Sequence, residues 1–480
     1  MNGVAFRANW LENFGDSEDY PTKYIINGFI EGAQWEQLNL PFDPYIDGPV
    51  EIDLTLYGKG GAIKKGNGQF NLINSLSNFD PIGWKKPKGK AGHVDFDLTF
   101  KGDGRLKISN ILLQSESLVA NLELDMIDDM VTRFFIPTLI MQDTDIKMLM
   151  EWDAEKKYYI STITGKAFNA ASLIDIIMST GGEEEKVTLP DFNVDAEIDD
   201  LLAKNNVRIT KVILSATYRK QDFTHVNLEG KLPENKSVMV NISPEGDNRK
   251  LQFNSDAAGE ALRGLGAFNL GVGGDMTLTA DMVKHEHGIS LGGQAKITKF
   301  KVIESPSFSK LLDEKKFIKA REELNKGGLS FNNFDMTFRT SNGIMEISDA
   351  RARGPMLGMT IDGVIDQTYD EMNISGTLVP AYGINSLLGN IPLIGTILTG
   401  GKGEGIFSAT YSISGPLDNP EININPLAVL APGIFRKIFS ALGGKKKTLR
   451  EQAEEMQKII PNTENTSGKQ PETKLKTKPE

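Results

Sequence analysis

The sequence contains no cysteine and only four histidines. The lack of cysteine excludes disulfide bonds, thiolate catalysis and zinc or iron–sulfur centres held by cysteine. It does not fix the compartment, because chains without disulfides are found in the cytosol and in the periplasm alike.

Long apolar runs are missing too. The longest stretch without a charge, residues 372–401, is interrupted by Pro380, Pro392 and several glycines, so it is not predicted to cross a membrane as a helix. Residues 1–16 have no basic region followed by an apolar core, and no signal peptide is predicted there.

Positive charge is in deficit. The chain has 53 Lys and Arg against 64 Asp and Glu, a formal net charge of −11. A chain without a broad positive field is a poor partner for nucleic acid. Basic groups at 64–65, 85–90 and 445–447 could touch anionic headgroups, although the favoured interpretation is a set of solvated loops.

What the sequence has in quantity is alternation of apolar and polar residues, which is typical of strands with one apolar face. Clear examples are residues 50–56, 94–100, 118–124, 276–280, 334–338, 357–361, 372–378 and 407–413. Turn signals such as Ser341-Asn-Gly343 separate them. We count roughly 20 to 25 strands, and a continuous sheet of that size would be on the order of 100 Å long and would have to curl, split or close. The predicted fold is all-β, a long curved, largely antiparallel sheet.

Helical periodicity is confined to short inserts at 170–179, 257–265 and 307–325. Near the C-terminus an amphipathic helix is predicted, with candidate membrane-contact residues Phe435, Arg436, Lys437, Ile438 and Phe439. This segment could instead cap the open end of the sheet. Residues 444–480 are polar and are predicted to be disordered.

The sequence contains short matches to catalytic and metal-binding motifs, but none lies in the structural context that its chemistry needs. Residues 288–292 match G-x-S-x-G around Ser290, but the serine lies in an alternating run without the strand–turn–helix that a nucleophile elbow needs. His285 and His287 could share a strand face, yet the other two histidines are distant in sequence, which favours a solvated turn over a metal site. We therefore predict no enzyme, no catalytic residue, no metal and no cofactor.

Three segments resemble the AsmA-like superfamily, in the branch of YhdP and its DUF3971 relatives, which is related to TamB. The most specific covers residues 327–439 and contains IPLIGTILTG, GEGIFSATYSISGPLDNP and INPLAVLAPGIFRKIF in the order and spacing of that family's C-terminal signature. Residues 255–282 are similar to the family's small helix, glycine step and next strand, and residues 189–232 to its recurring hairpins.

The resemblance implies a β-taco in the periplasm, whose hydrophobic groove carries phospholipid acyl chains between inner and outer membrane surfaces during outer-membrane biogenesis. It implies three parts: a groove body at 1–326, a C-terminal region at 327–443 and a tail at 444–480. It also implies an N-terminal inner-membrane helix and partner proteins in the cell envelope. Because this chain shows no such helix, we expect an incomplete chain or a split gene product whose full-length form is anchored.

Alternation alone favours a filled sandwich core, since period two cannot distinguish a packed core from an open groove. The resemblance favours the groove. A further alternative is an assembly factor for outer-membrane proteins that offers a sheet edge and carries no lipid. The predicted groove lining is Met276, Leu278, Ile297, Phe334, Met336, Phe338, Met359, Ile361, Ile374, Leu378, Phe407, Tyr411 and Ile413.

Overall fold

The structure is a computed structural model. It describes residues 4, 6–14, 19–38, 40, 42–178, 189–285, 288–303, 306–313, 315–380 and 409–425. All of these belong to one unit, Met1–Leu427. Phe407, the five candidate membrane-contact residues and the tail at 444–480 lie outside the described residues.

Strands dominate the described residues, with a few short helices between them. The strands are β1 (Phe6–Glu12), β2 (Thr22–Ile30), β3 (Ile46–Asp47), β4 (Val50–Lys59), β5 (Ala62–Asn71), β6 (Leu76–Phe79), β7 (Trp84–Lys86), β8 (Gly92–Gly102), β9 (Arg105–Ser115), β10 (Leu118–Ile127), β11 (Met130–Met141), β12 (Thr144–Asp153), β13 (Tyr158–Asn169), β14 (Phe192–Leu202), β15 (Arg208–Tyr218), β16 (Phe223–Leu232), β17 (Lys236–Glu245), β18 (Asn248–Ser255), β19 (Gly271–Val272), β20 (Asp275–His285), β21 (Gly288–Val302), β22 (Leu329–Ser341), β23 (Ile344–Arg353), β24 (Leu357–Asp366), β25 (Glu371–Pro380), β26 (Ala409–Pro416) and β27 (Glu421–Asn425). The helices are α1 (Gln34–Gln37), α2 (Ala171–Met178), α3 (Ala258–Gly264), α4 (Pro306–Lys310) and α5 (Ile318–Gly327), with 3-10 turns at Asp43–Tyr45, Asp80–Ile82, Lys204–Asn206, Pro233–Asn235 and Lys315–Phe317.

Twenty-four of the strands form one curved sheet, and β3, β6 and β7 form a second, small one. In the large sheet nearly every strand pairs with the strands before and after it in sequence, all antiparallel except for the parallel pair β13–β14. Among the described residues no pairing joins β1 to β27, so the sheet is not closed. The predicted all-β, largely antiparallel architecture is confirmed.

At one end of the strands, neighbouring strands are joined by hairpin loops, and we call this side of the sheet the turn rim. It includes the loops at 60–61, 103–104, 128–129, 246–247 and 342–343. Asn342 and Gly343 both have positive φ, 50° and 77°, which is the type I′ geometry that continues the twist of two paired strands. The turn signal read at 341–343 is therefore confirmed.

The opposite strand ends form what we call the helical rim. It carries α1–α5 and the small sheet, because several connections on this side are long: 31–45, 72–91, 256–274 and 303–328 are examples. Three clusters of buried apolar residues include side chains of these inserts: Trp35 of α1, Trp84 of β7 and Leu324 of α5 are all buried. The inserts therefore cover the strand ends beside them on this rim.

A buried lysine holds one of these inserts in place. Lys86 is 2% exposed, and its Nζ donates hydrogen bonds to the carbonyl oxygens of Ser75 at 2.8 Å and of Pro87 and Lys90 at 3.2 Å each. Burial lowers the pKa of Lys86 from its ordinary value. The three carbonyl acceptors come from both flanks of the insert, so the ammonium group links its two ends.

The helical predictions at 170–179 and 257–265 match α2 and α3. The run at 307–325 forms two helices, α4 and α5, instead of one. Leu312 and Phe317 are both 1% exposed, but five residues apart they lie on different sides of a continuous helix. Breaking the helix lets both side chains reach the sheet.

Candidate functional site

One face of the large sheet carries an unbroken line of uncharged residues, nearly all of them apolar, which we call the long row. Each member is the direct cross-strand partner of the next, so all of them point to the same side of the sheet. The row has one residue from every strand except the two-residue β19. It consists of Trp10, Tyr24, Leu56, Gly66, Leu98, Ile108, Leu124, Phe134, Met150, Ser161, Val194, Ala216, Val226, Ile242, Leu251, Ala280, Gly293, Phe338, Ile347, Gly363, Ile374, Ile413 and Ile422. None of the 23 is charged.

The opposite face is polar. One residue further along each strand lies a row of Leu11, Lys23, Tyr57, Lys65, Thr99, Lys107, Asp125, Arg133, Glu151, Ile160, Asn193, Thr217 and His225. Ion pairs cross it: Lys107 lies 3.4 Å from Glu123, and Arg133 lies 3.6 Å from Glu151. A single-residue step along the chain therefore separates the uncharged long row from a row with six charged residues.

Three shorter rows lie beside the long row on the same face, which we call the apolar face. They run from Phe6 to Val212 across the first half of the sheet, from Ile136 to Met336 across its middle, and from Gly230 to Ala409 across the second half. The middle row, for example, is Ile136, Met148, Ile163, Ala196, Leu214, Leu228, Val240, Phe253, Leu278, Ala295 and Met336.

The twelve predicted lining residues within the described part of the chain all lie on the apolar face. Phe338, Ile374 and Ile413 belong to the long row; Leu278 and Met336 to the middle row; Met276, Ile297, Phe334, Met359 and Leu378 to the row ending at Ala409; and Ile361 and Tyr411 lie between rows. The register thus brings them together. That they contact lipid stays a prediction.

Burial divides this face lengthwise. Towards the helical rim its side chains are covered: Leu378 is 1% exposed and Met276 5%. In the long row Leu98, Leu124 and Ile374 are only partly buried. A dry core would remove side chains of this size from water almost completely. Seventeen of the 23 members of the long row are at least partly accessible, whereas Leu56, Gly66, Ser161, Ala216, Ala280 and Phe338 are buried.

Tyr411 joins three strands within the covered part. It pairs with Gly376 of β25, and its hydroxyl donates a 2.8 Å hydrogen bond to the carbonyl oxygen of Thr360 on β24. The hydroxyl of Thr360 in turn accepts the backbone N–H of Thr377 at 3.1 Å. A Cβ on Gly376 would lie 1.9 Å from the Thr360 oxygen, so only glycine fits there. Burial, and secondarily the charge of Asp362, raises the pKa of Tyr411.

Aromatic side chains line the apolar face beside the turn rim. Trp152, Tyr159, Phe192, Tyr218 and Phe223 are successive cross-strand partners on β12–β16. The rings of Phe192 and Tyr218 stack with centroids 4.9 Å apart, and the Tyr159 hydroxyl donates to the Val131 carbonyl at 2.7 Å. Burial raises the pKa of both tyrosines. Such rings suit a boundary between apolar and wet surroundings.

A buried ion pair closes the turn rim next to this aromatic row. Arg249 of β18 and Asp222 in the loop after β15 are 7% and 8% exposed, with Nη1 and Oδ1 2.6 Å apart. Lys284 of β20 also reaches this loop, donating to the carbonyl of Lys220 at 2.8 Å. The loop at 219–222 therefore leans over the apolar face.

Ser290 does meet a histidine: its Oγ lies 2.6 Å from Nε2 of His285 across the hairpin of β20 and β21. The pair lies on the polar face, because the neighbouring Leu291 and Met282 are on the apolar one. His285 is exposed, and Ser290 is within a strand and not at a strand-to-helix turn. The distance suits a hydrogen bond, whereas the surroundings lack the elbow that would project a nucleophile.

The prediction omitted the first half of the apolar face. Leu98 and Leu124 occupy the same long row as Phe338, and their strands show the same alternation in the sequence. Extending the lining to every alternating strand would have found them. Within the described residues no group of three or more metal-binding side chains is found, and no helix there is long and apolar enough to span a bilayer.

No family model, no curated protein and no solved structure matches the chain. The sequence resemblance to the AsmA-like superfamily therefore stays a prediction.

Proposed function

We propose that this protein carries phospholipid acyl chains along the apolar face, as an AsmA-like bridge between the inner and outer membranes of a cell envelope. The observation that supports this most directly is the long row, an uncharged line of side chains that crosses the whole sheet and remains partly accessible.

The energetic need for such a surface follows from the hydrophobic effect. Moving a lipid through water exposes its tails, at a cost of about 0.8 kcal/mol per CH₂. Two chains of roughly sixteen carbons therefore cost on the order of 25 kcal/mol. With strands about 4.8 Å apart, 23 strands give a path of roughly 100 Å. A tail that slides from one partly exposed row member to the next avoids most of this cost.

The two rims suit different parts of such a cargo. The helical rim is covered, so tails would enter from the side of the turn rim. There Trp152, Tyr159 and Tyr218 place amphipathic rings beside the row, the arrangement that proteins use where an apolar region meets water. Headgroups would remain at this margin. A periplasmic location and an inner-membrane anchor in the full-length protein belong to the same proposal and depend on the family resemblance.

Photo-crosslinking tests the proposal in both halves of the sheet. A photoreactive amino acid at Leu124, Met336, Met359 or Ile374 should capture phospholipid from Gram-negative membranes. The same residue at Thr99 or Thr337, on the polar face, should not. Mass spectrometry of the adducts identifies the cargo. Equal lipid capture on both faces, or none at Leu124, would refute the proposal.

The same crosslinks distinguish the alternative function, an assembly factor for outer-membrane proteins. Its support is the accessible apolar surface itself, which would also fit an unfolded client. If polypeptide dominates the adducts at Leu124 and Ile374 while lipid is absent, the assembly role replaces transport.

A further inference from the structure

A buried arginine lies on the apolar face. Arg249 of β18 is two residues before Leu251 of the long row, so it points to the same side of the sheet, and it is 7% exposed. Its cross-strand partner on β20 is Met282, which is also buried. A guanidinium group in such surroundings has lost its hydration and needs acceptors for its N–H groups.

The protein supplies acceptors for one terminal nitrogen of Arg249 and not for the other. Nη1 donates to Oδ1 of Asp222 at 2.6 Å and also to the carbonyl oxygen of Phe223. Nη2 is buried and has no acceptor among the described residues. Leaving a buried donor unpaired costs free energy, and an anion that supplies the acceptor would recover it.

Arg219, at the start of the neighbouring loop 219–222, has partners on both terminal nitrogens. Its Nη1 donates to the carbonyl oxygens of Phe192 and Tyr218, and its Nη2 to Oδ1 of Asn193, all at 2.7 Å. The missing acceptor is therefore a property of Arg249 and not of this part of the sheet in general.

A second cation reaches the same loop from the next strand. Lys284 of β20 lies two residues beyond Met282, hence also on the apolar face, and it is exposed. Its Nζ donates to the carbonyl oxygen of Lys220 at 2.8 Å and forms no ion pair with a carboxylate of the described residues. Arg249 and Lys284 carry two positive charges against the one negative charge of Asp222. The difference, one positive charge, matches the single negative charge of a phosphodiester.

We infer that Arg249 and Lys284 form a binding site for the phosphodiester group of a phospholipid, at the margin of the apolar face beside the turn rim. Nη2 of Arg249 donates to one phosphate oxygen, and Nζ of Lys284 exchanges the Lys220 carbonyl for another. Because Nη2 is enclosed in this structure, loop 219–222 has to move away from it before the phosphate binds. The inference rests on the proposed function, since it assigns a place to the headgroup of the same cargo.

The site lies where the tails of such a lipid can reach the long row. Two residues of extended strand separate Arg249 from Leu251, about 7 Å along β18. The rings of Tyr218 and Phe223 lie at the same rim, with centroids 5.1 Å apart. A phosphate held at Arg249 therefore leaves its tails beside the apolar face, whereas free phosphate gains the two cations alone.

Equilibrium binding of two short-chain lipids to the full chain tests the inference. One is dioctanoylphosphatidylglycerol, and the other is dioctanoylglycerol, which has the same tails and no phosphate. We expect the phospholipid to bind at least about tenfold more tightly, because only it accepts the charge-assisted hydrogen bonds. Replacing both partners of the buried pair, Arg249→Met with Asp222→Leu, should abolish this preference without leaving an unpaired buried charge. Arg219→Gln is the matched control and should keep the preference.

Asp222→Asn distinguishes a binding site from a purely structural ion pair. Removing the carboxylate that competes with phosphate for Arg249 should raise the affinity for the phospholipid about threefold or more. A purely structural pair predicts no gain. An affinity that does not rise in an Asp222→Asn chain with unchanged circular dichroism overturns the inference, as does a preference that survives the double replacement.

Two further outcomes identify the ligand and separate this inference from the proposed function. Inorganic phosphate at about 10 mM should not displace the phospholipid, because it gains nothing from the apolar face. Displacement would assign the site to free phosphate and overturn the headgroup assignment. Equal binding of the two lipids refutes the headgroup site alone, whereas binding of neither lipid contradicts the proposed function as well.

Discussion

Leu378 and Ile374 lie on the same strand and the same face, yet their surroundings differ. Leu378, near the helical rim, is 1% exposed and belongs to the large buried cluster, whereas Ile374, in the long row, packs against that cluster and is only partly buried. The sequence around both alternates identically. What differs is the connections: long ones carry helices over one rim, whereas the described connections of the other rim are hairpin loops without helices. The connections therefore decide whether alternating strands make a core or an accessible lining.

The largest expected effect comes from placing a charge on each side of this divide. Leu378→Asp should lower the free energy of unfolding by about 4 kcal/mol or more, because an unpaired carboxylate would be fully buried. Ile374→Asp should cost only about 1–2 kcal/mol, since its carboxylate can stay hydrated. Urea unfolding followed by circular dichroism measures both. Similar losses at the two positions would show that the long row is also core.

Ile374→Asp should act mainly on lipid transport and much less on stability. Ile374→Asp should reduce lipid transfer between donor and acceptor vesicles at least tenfold while the protein stays folded. Asn373→Asp, on the adjacent exposed position of the polar face, is the matched control and should transfer normally. Equal transfer by both variants would contradict the proposed path along the row.

A smaller effect tests how tightly the covered part is packed. Gly376→Ala places a methyl group against the Thr360 carbonyl and should cost about 3 kcal/mol, near the upper end for overpacking. Gly363, in the long row, is not a suitable control because its φ of 155° is itself strained for alanine. Gly246→Ala, at an open hairpin loop, should cost less, about 1 kcal/mol. The reverse ranking would contradict the Tyr411 arrangement.

Tyr411 gives this packing a pH dependence. Its pKa is raised in the folded protein, so its contribution to stability is fully present below the unfolded tyrosine pKa, near 10. Above that pH the unfolded chain ionises first, and the contribution falls as the pH rises towards the folded pKa. Tyr411→Phe should cost about 1–3 kcal/mol at neutral pH by leaving the Thr360 carbonyl without its hydroxyl donor. It should also flatten the alkaline loss seen in urea titrations between pH 9 and about 11. An unchanged alkaline slope would assign the loss to other tyrosines.

The smallest effect is expected on the polar face. Arg133 contacts Glu123, Asp125 and Glu151 at 3.5 to 3.9 Å, but its side chain is 30% exposed. Arg133→Met should therefore cost no more than about 1 kcal/mol, and less at high salt. A loss as large as that of Leu378→Asp would mean that these ion pairs, and not the covered rim, dominate stability.

Much of this fold could be predicted from the sequence. Alternation located strands such as β4, β10 and β22, turn residues located the hairpin at 342–343, and period-two phase put Met276 and Leu278 on one face. These features are local, and each is encoded within a few residues. The parallel pair β13–β14 could not be predicted in this way, because strand direction depends on the path of the connection through α2 and not on either strand's own pattern.

The continuity of the long row also depends on pairing register, which no single strand determines. A one-residue slip at any strand would move its apolar residues to the polar face. The approach of Ser290 to His285 is a second example, since the four intervening residues do not fix how the hairpin pairs. Burial could not be predicted either. The sequence around Leu378 and Ile374 on β25 alternates in the same way, and only the structure shows that Leu378 is the covered one of the two.

Sequential pairing has a consequence for how such a molecule can change over evolutionary time. A hairpin added or removed alters the span by about 10 Å and leaves the register of the other strands intact. The reach of the sheet can therefore be adjusted in steps by duplication or loss of a segment of roughly twenty-five residues. The distance that the protein covers would then be set by how many hairpins its gene encodes.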